Sequence, residues 1–162
     1  MKRVMVIGCP GSGKSVFSRA LSEKTGLPVY HLDMIYWNAD GTNVDREVFD
    51  ERLQKCLENE EWIIDGNFSR TMRRRIERAD TVFFLDYPTE VCLEGVRSRI
   101  GKKRDDIPWI EQKEDEEFMD FIRRYKTERR PDVLSLLEEY RDRNIIIFRS
   151  RSEGDRYLSD LK

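Results

Sequence analysis

Several residue types are scarce in this chain, and each scarcity excludes something. Of 162 residues one is histidine, His31, and three are cysteine. Cys9, Cys56 and Cys92 are far apart and form no CxxC pair. That argues against a disulfide framework or a thiolate zinc site and fits a reducing compartment. A lone histidine on a strand is more often a packed side chain than a catalyst, and Ser/His/Asp nucleophilic catalysis finds no support. No apolar run approaches the ~20 residues of a membrane span. The basic start Met1-Lys2-Arg3 leads only into the short run at residues 4–7, too short for a secretory signal. A cytoplasmic protein with no membrane association is expected. Excess charge is lacking too: 30 Lys and Arg against 32 Asp and Glu leave a net −2, which argues against nucleic-acid binding over the whole surface.

Charged residues make up 38% of the chain and hydrophobic residues another 38%. The apolar residues are not thinned out evenly, as in a disordered chain. They gather at residues 4–7, 62–64, 81–85 and 144–148, with a weaker candidate at 28–32. The four stronger runs are continuous rather than alternating, the pattern of strands buried on both faces of a parallel sheet. Helical segments separate them; residues 46–59 place Val48, Phe49, Leu53, Cys56 and Leu57 at near-helical spacing. Strands alternating with helices predict an α/β layered fold with right-handed crossovers. With no repeat and no low-complexity linker, residues 1–162 read as a single domain. One stretch breaks the rhythm: residues 101–109 are polar, open with Gly101 and contain Pro108, and are expected to form a loop between two helices.

Residues Gly8-Cys9-Pro10-Gly11-Ser12-Gly13-Lys14-Ser15 match the phosphate-loop pattern G-x-x-x-x-G-K-[ST] in full. The motif directly follows one buried-strand run and directly precedes a helical segment, the context it requires. Glycines let the backbone wrap so that several N–H groups point inward, and the helix N-terminus adds its positive end. Nucleotide-binding residues are therefore expected at Gly8, Pro10, Gly11, Ser12, Gly13, Lys14, Ser15 and Val16. Lys14 supplies a charge to the β- and γ-phosphates of ATP, and Ser15 a hydroxyl ligand for Mg²⁺. Cys9 reads as small packing inside the loop.

This loop resembles that of adenylate-kinase-like nucleoside monophosphate kinases. Three further segments together resemble the bacterial DNA topology modulation proteins, an adenylate-kinase-related group: His31-Leu32-Asp33-Met34-Ile35-Tyr36-Trp37, Trp62-Ile63-Ile64-Asp65-Gly66-Asn67-Phe68, and Ala79-Asp80-Thr81-Val82-Phe83-Phe84-Leu85-Asp86-Tyr87-Pro88. The resemblance implies a P-loop NTPase three-layer fold. Its five-stranded parallel sheet would run in the order 2-3-1-4-5, flanked by helices, with a short lid at about residues 101–112. It also implies an ATP donor site and a small-molecule acceptor, nucleoside monophosphates first among the candidates. The chain departs from adenylate kinases after the third strand. Those carry Asp-Gly-Phe-Pro-Arg; here Arg70 comes one position later and there is no proline.

Other site candidates follow in part from the residues and in part from that resemblance. Asp65 ends the run at 62–64, which lies beside the loop-feeding strand in a P-loop sheet; its carboxylate is expected near Mg²⁺, or else caps the next turn. Asp33 is placed at the end of the second strand, where α/β proteins bind ligands. It is a candidate general base toward an acceptor hydroxyl, or a turn acid. Trp37 is planar and suits stacking on an acceptor ring or covering the sheet edge. By resemblance Arg70 holds acceptor phosphate, with Arg123 as a second candidate, and Arg97 and Arg99 reach the transferring phosphoryl group. At spacing i, i+2 only one of that last pair faces the phosphates. Lys103 and Arg104 are weaker lid candidates. The alternative to a kinase is a nucleotide-binding regulatory protein that affects DNA topology or a protein partner. The Arg70, Arg73, Arg74, Arg75 and Arg78 cluster speaks for it, and the net charge and the lack of a nucleic-acid motif speak against it.

Overall fold

A computed structural model describes residues 1–161. Strand β1 (Arg3–Gly8) feeds the glycine-rich loop and helix α1 (Lys14–Thr25). Gly26 ends that helix in the left-handed conformation and donates its N–H to the Ser22 carbonyl, a common helix stop. There follow β2 (Val29–His31), the short α2 (Leu32–Tyr36), α3 (Arg46–Leu57), β3 (Trp62–Asp65), α4 (Ser69–Arg78), β4 (Thr81–Leu85) and α5 (Thr89–Arg97). After the long connection come α6 (Glu116–Glu128), α7 (Arg130–Glu139), β5 (Asn144–Phe148) and α8 (Arg151–Asp160). The strands form one five-stranded sheet in the order β2-β3-β1-β4-β5, every pairing parallel. Fold class and strand order are those expected.

The central strands are buried on both faces, so their continuous apolar runs divide by alternation. Met5, Ile7, Ile64, Val82 and Phe84 pack under Phe49 and Leu53 of α3, Ile76 of α4 and Leu137 of α7. Val4, Val6, Ile63, Phe83 and Leu85 pack against Phe17 and Leu21 of α1, with Tyr157 and Leu158 of α8 at the margin. Each large side chain so buried stabilises the fold by about 1.5–3 kcal/mol, and together the two clusters hold the three layers.

Two boundaries differ from the reading of the sequence. Strand β2 stops at His31, so Asp33 does not end a strand; it lies in the first turn of α2. That helix was not expected. It forms because Leu32 is fully buried and Ile35 and Tyr36 pack onto the α3 side of the core, a tertiary demand that five residues do not announce. Helix α5 ends at Arg97 and α6 begins at Glu116, so the connection is longer than the loop read from residues 101–109.

At the end of the sheet away from the loop, Asp80 ties β1 to β4. Its carboxylate accepts from the amides of Lys2 at 3.0 Å and Arg3 at 2.8 Å and from the Thr81 hydroxyl at 2.8 Å. Burial alone would raise its pKa, but these bonds outweigh burial and hold it below the ordinary carboxylate value. A lowered folded pKa adds stability above the unfolded value near ~3.9 and loses it as pH falls through the folded value. Asp80→Asn is therefore expected to lower the urea midpoint at pH 7, with the gap to wild type closing below about pH 3. A gap of equal size at both pH values would show that the carboxylate charge plays no part.

Candidate active site

The glycine-rich loop is shaped by backbone contacts. Gly11 has φ 82°, and a Cβ there would stand 2.0 Å from the Cys92 carbonyl oxygen on α5; a Cβ on Gly95 would stand 2.0 Å from the Gly11 carbonyl oxygen. Loop and helix therefore touch backbone to backbone, which only glycine permits. Gly13, also left-handed, caps α1, so the helix begins at Lys14 with its amides facing the loop. The Lys14 ammonium donates to the carbonyls of Gly8 at 2.9 Å and Cys9 at 3.2 Å. That leaves a third N–H for a ligand. Burial lowers its pKa, opposed by the nearby Asp33 and Asp65 carboxylates.

Three carboxylates converge on this end of the sheet. Asp65, 4% exposed, stands at the tip of β3 and pairs with His31 Nδ1 at 2.8 Å. His31 is thus an orienting partner, leaving the second Asp65 oxygen free. Asp33 lines the same cleft, and its pKa is raised by burial first and then by Asp65 and Asp106, against the pull of Lys14. A carboxyl group raised in this way is better matched to accept a proton from an acceptor hydroxyl near neutral pH. The third carboxylate, Asp106, comes from the long connection and accepts a hydrogen bond from the Ser15 hydroxyl at 2.6 Å. Hydroxyl and carboxylate oxygens are the donors Mg²⁺ prefers, one or two carboxylates commonly sharing it with substrate phosphates and water. Ser15 and Asp65 fit that role.

Residues 66–68 join β3 to α4 and form one wall. Gly66 is left-handed, and a Cβ there would meet Leu32 at 2.9 Å. Asn67 accepts from the Gly8 amide at 3.3 Å, linking this turn to the phosphate loop. Phe68 holds φ 39°, a left-handed conformation costing about 1–3 kcal/mol in a non-glycine residue. Arg75 of α4 holds the turn. Its side chain is fully buried and donates to the Gly66 carbonyl at 2.9 Å and to the carbonyls of Asn67 and Phe68.

The connection between α5 and α6 closes the other side as a lid. Arg104 bonds Asp106 at 3.0 Å and Glu111 at 2.9 Å, and Arg99 bonds Glu111 at 3.0 Å. Burial alone would raise the Asp106 carboxyl, but the Arg104 guanidinium and the Ser15 hydroxyl outweigh it and hold it at about 2. Trp109 meets Trp37 edge to face, ring centroids 5.9 Å apart. The cleft has a volume of about 1220 Å³ and runs from the phosphate loop to Asp33, Trp37 and Phe68.

Of the residues singled out from the sequence, Pro10, Gly11, Gly13, Lys14, Ser15 and Val16 line the cleft, as do Asp33, Trp37, Asp65 and Arg99. Gly8 and Ser12 lie just behind them within the loop. Arg97 and Arg99 are separated as their spacing requires: Arg99 faces the cleft, whereas Arg97 turns outward to Glu114 at 2.8 Å. Arg70 and Arg123 do not reach it. Arg70 forms a two-pronged pair with Asp50, and Arg123 pairs with Glu116 and Asp120 on the outer face of α6. Carboxylates one turn away or across a short gap capture both guanidinium groups. Residues that the sequence did not single out also line the cleft. Arg19 has one buried guanidinium nitrogen with no protein partner. Arg151 donates to the Gly11 carbonyl at 3.2 Å. Asp106 carried no signal in the sequence: only the structure shows it buried with Ile107 inside the loop.

A loop of this shape at the tip of the middle strand of a 2-3-1-4-5 sheet defines a P-loop nucleotide-binding protein. The chain belongs to the AAA domain family, whose model matches residues 4–120. An adenylate kinase of Thermotoga neapolitana is 26% identical over 95 residues, covering 57% of this chain and 42% of that protein. The match thus spans less than half the length of that curated relative. Among solved structures, a shikimate kinase from Bacteroides thetaiotaomicron superposes with TM-score 0.59 at 21% identity, covering 99% of this chain and 96% of its own. A shikimate kinase from Acinetobacter baumannii in complex with shikimate gives 0.61 at 16%, covering 100% and 96%. At these identities the likeness establishes the fold.

Two outcomes follow from the site geometry. Arg75→Met removes the donors to the buried Gly66 carbonyl and the part-buried carbonyls of Asn67 and Phe68, and is expected to cost roughly 3 kcal/mol in urea unfolding; a loss under about 1 kcal/mol would mean the turn holds itself. Asp106→Ala frees the lid from Ser15. Tryptophan emission of the nucleotide-free variant should shift to the red and become more open to acrylamide quenching, because Trp109 lies on the lid while Trp62 is fully buried. An unchanged spectrum would show that the Ser15–Asp106 bond does not hold the lid in place.

Proposed function

We propose that this protein is an ATP- and Mg²⁺-dependent phosphotransferase acting on a small acceptor, with nucleoside monophosphates the first class to test. The observation that carries the reading is the placement of Lys14 and Asp33 in one cleft, each within the electrostatic reach of the other. The loop amides and Lys14 hold the donor phosphates. Ser15 and Asp65 hold the metal, which neutralises phosphate charge when bound with ATP. Asp33 binds the acceptor and takes its proton where the acceptor offers a hydroxyl. Trp37 and Phe68 face its body. Arg99 matches the charge spread over the transferring group, and the lid excludes the water that would otherwise hydrolyse ATP. With Arg70 and Arg123 engaged elsewhere, an anionic acceptor would rely on Arg19, which has a free guanidinium nitrogen.

The resemblance of Asp65-Gly66-Asn67 and its neighbours to the bacterial DNA topology modulation proteins belongs to the same reading, with the cytoplasm as the site of action. The three thiols are free, and no helix among the described residues is long and apolar enough to cross a membrane. Of the α4 arginines, Arg73 pairs with Glu139 at 2.7 Å, Arg74 bonds Gln54 and Arg75 is buried, which favours the kinase reading over a DNA-binding one.

The test is ADP formation from Mg·ATP across a panel of nucleoside monophosphates, nucleosides and other hydroxyl acceptors, scored above the acceptor-free rate. One acceptor should raise turnover, and Lys14→Ala should lower it by at least about 10²-fold with the thermal midpoint preserved. Turnover unaffected by Lys14→Ala, or a folded protein that does not bind Mg·ATP, would overturn the assignment.

A further inference from the structure

The phosphate loop gathers positive potential from its amides, a helix N-terminus and the Lys14 ammonium. An anion of the chain itself is brought to its edge. The Asp106 carboxylate comes from the connection between α5 and α6 and is 5% exposed. Its Oδ2 accepts from the Ser15 hydroxyl at 2.6 Å. Arg104 grips the same carboxylate with two prongs, Nε to Oδ1 at 3.0 Å and Nη2 to Oδ2 at 2.6 Å. Ser15, Arg104 and Asp106 all line the cleft. A loop hydroxyl and a guanidinium fork are also the donors that phosphate oxygens draw.

The segment that carries Asp106 is braced. Ile107, next in the chain, is 7% exposed and anchors it. Glu111 ties the connection to itself: its carboxylate accepts from Arg104 at 2.9 Å and from Arg99 at 3.0 Å, and its carbonyl accepts from the Gly101 amide at 2.7 Å. Asp106 therefore reaches Ser15 from a segment with its own internal bonds. The contact joins residues 91 positions apart.

We propose that Asp106 is a built-in competitor for the donor phosphates, a lid carboxylate that must leave Ser15 before Mg·ATP can bind. The device rests on the reading of the loop as the ATP site. Carboxylate and phosphate carry the same sign and seek the same two groups, Ser15 and Arg104. The low dielectric that strengthens either attachment also makes the two anions repel each other. Binding is thus an exchange. The Ser15 hydroxyl passes from the carboxylate to the metal and phosphates. Arg104, released from Asp106, is free to take a phosphate oxygen, because its fork fits either anion. Nucleotide affinity is then the intrinsic affinity reduced by the fraction of molecules in which Asp106 has left Ser15. Removing the carboxylate removes that reduction.

The experiment titrates a non-hydrolysable Mg·ATP analogue calorimetrically into the full chain and into Asp106→Ala and Asp106→Asn. Association and dissociation rates of a fluorescent analogue are measured by stopped flow. Asp106→Ala should bind about tenfold more tightly than wild type. Asp106→Asn should tighten binding less, because its amide oxygen can still accept from Ser15 but carries no charge. It also keeps the shape of the side chain, so the proposal stays testable should the alanine variant fold poorly. The gain should appear in the association rate, since the Ser15–Asp106 bond has to break before the phosphates arrive. Unchanged affinity in both variants, or a gain carried by slower dissociation alone, would overturn the proposal. So would weaker binding confined to titrations with Mg²⁺, which would make Asp106 a helper of the metal. Should wild type and both variants all ignore the nucleotide, the reading of the loop as the ATP site fails, and the competitor role with it. The two failures are separable: in the first, wild type binds the analogue and the variants gain nothing.

Discussion

The parallel pairing of β1 with β3 is the constraint on which the rest of the site depends. Its register sets Val6 opposite Asp65, two residues before the loop begins. A carboxylate at the tip of β3 is thereby delivered beside the phosphate loop without any loop having to place it. The same pairing carries the turn at residues 66–68 to the loop, where Asn67 meets the Gly8 amide. A slip of one residue would exchange the two faces of the strand and remove both contacts. Two apolar clusters, one on each face, make that slip expensive.

Around this rigid centre the site is completed by contacts of two kinds. Those from α5 are backbone contacts: Gly11 and Gly95 bring loop and helix together so closely that no side chain fits between them. Rigid contact of this sort fixes where the loop amides point. Those from the lid are ionic and reach in through long side chains. Arg99, Arg104, Glu111 and Asp106 form one network ending on Ser15. Such a network can be released when a ligand competes for one of its members, whereas packed backbone cannot. Floor and cover of the cleft are thus held by different kinds of contact.

Arg75 illustrates how the fold spends arginine. In the sequence it stands among charged neighbours and reads as one more solvated residue. In the structure it is enclosed and spans three carbonyls of a strained turn. Its neighbours Arg70, Arg73 and Arg74 are each satisfied by a partner on another helix. Charge density along the chain therefore says little about charge presented to a ligand, because pairing is decided across elements.

Features written in consecutive residues were legible from the sequence alone. The phosphate loop is one: its function lies in backbone amides and a helix end, and eight residues specify both. The buried strands are another, since a run apolar on both faces fits only the middle of a covered sheet; the strand order was implied by resemblance rather than by pattern. Only the tertiary structure decided which side chains meet. Ser15 and Asp106 lie 91 residues apart, and their contact depends on the path of a polar connection whose composition permits many paths. Arg99 rather than Arg97 faces the cleft, and Arg70 and Arg123 are captured by carboxylates outside it. The physical reason is common to these cases. A backbone motif acts through atoms every residue carries, so local sequence is enough, whereas side-chain pairs depend on which elements the core brings into register.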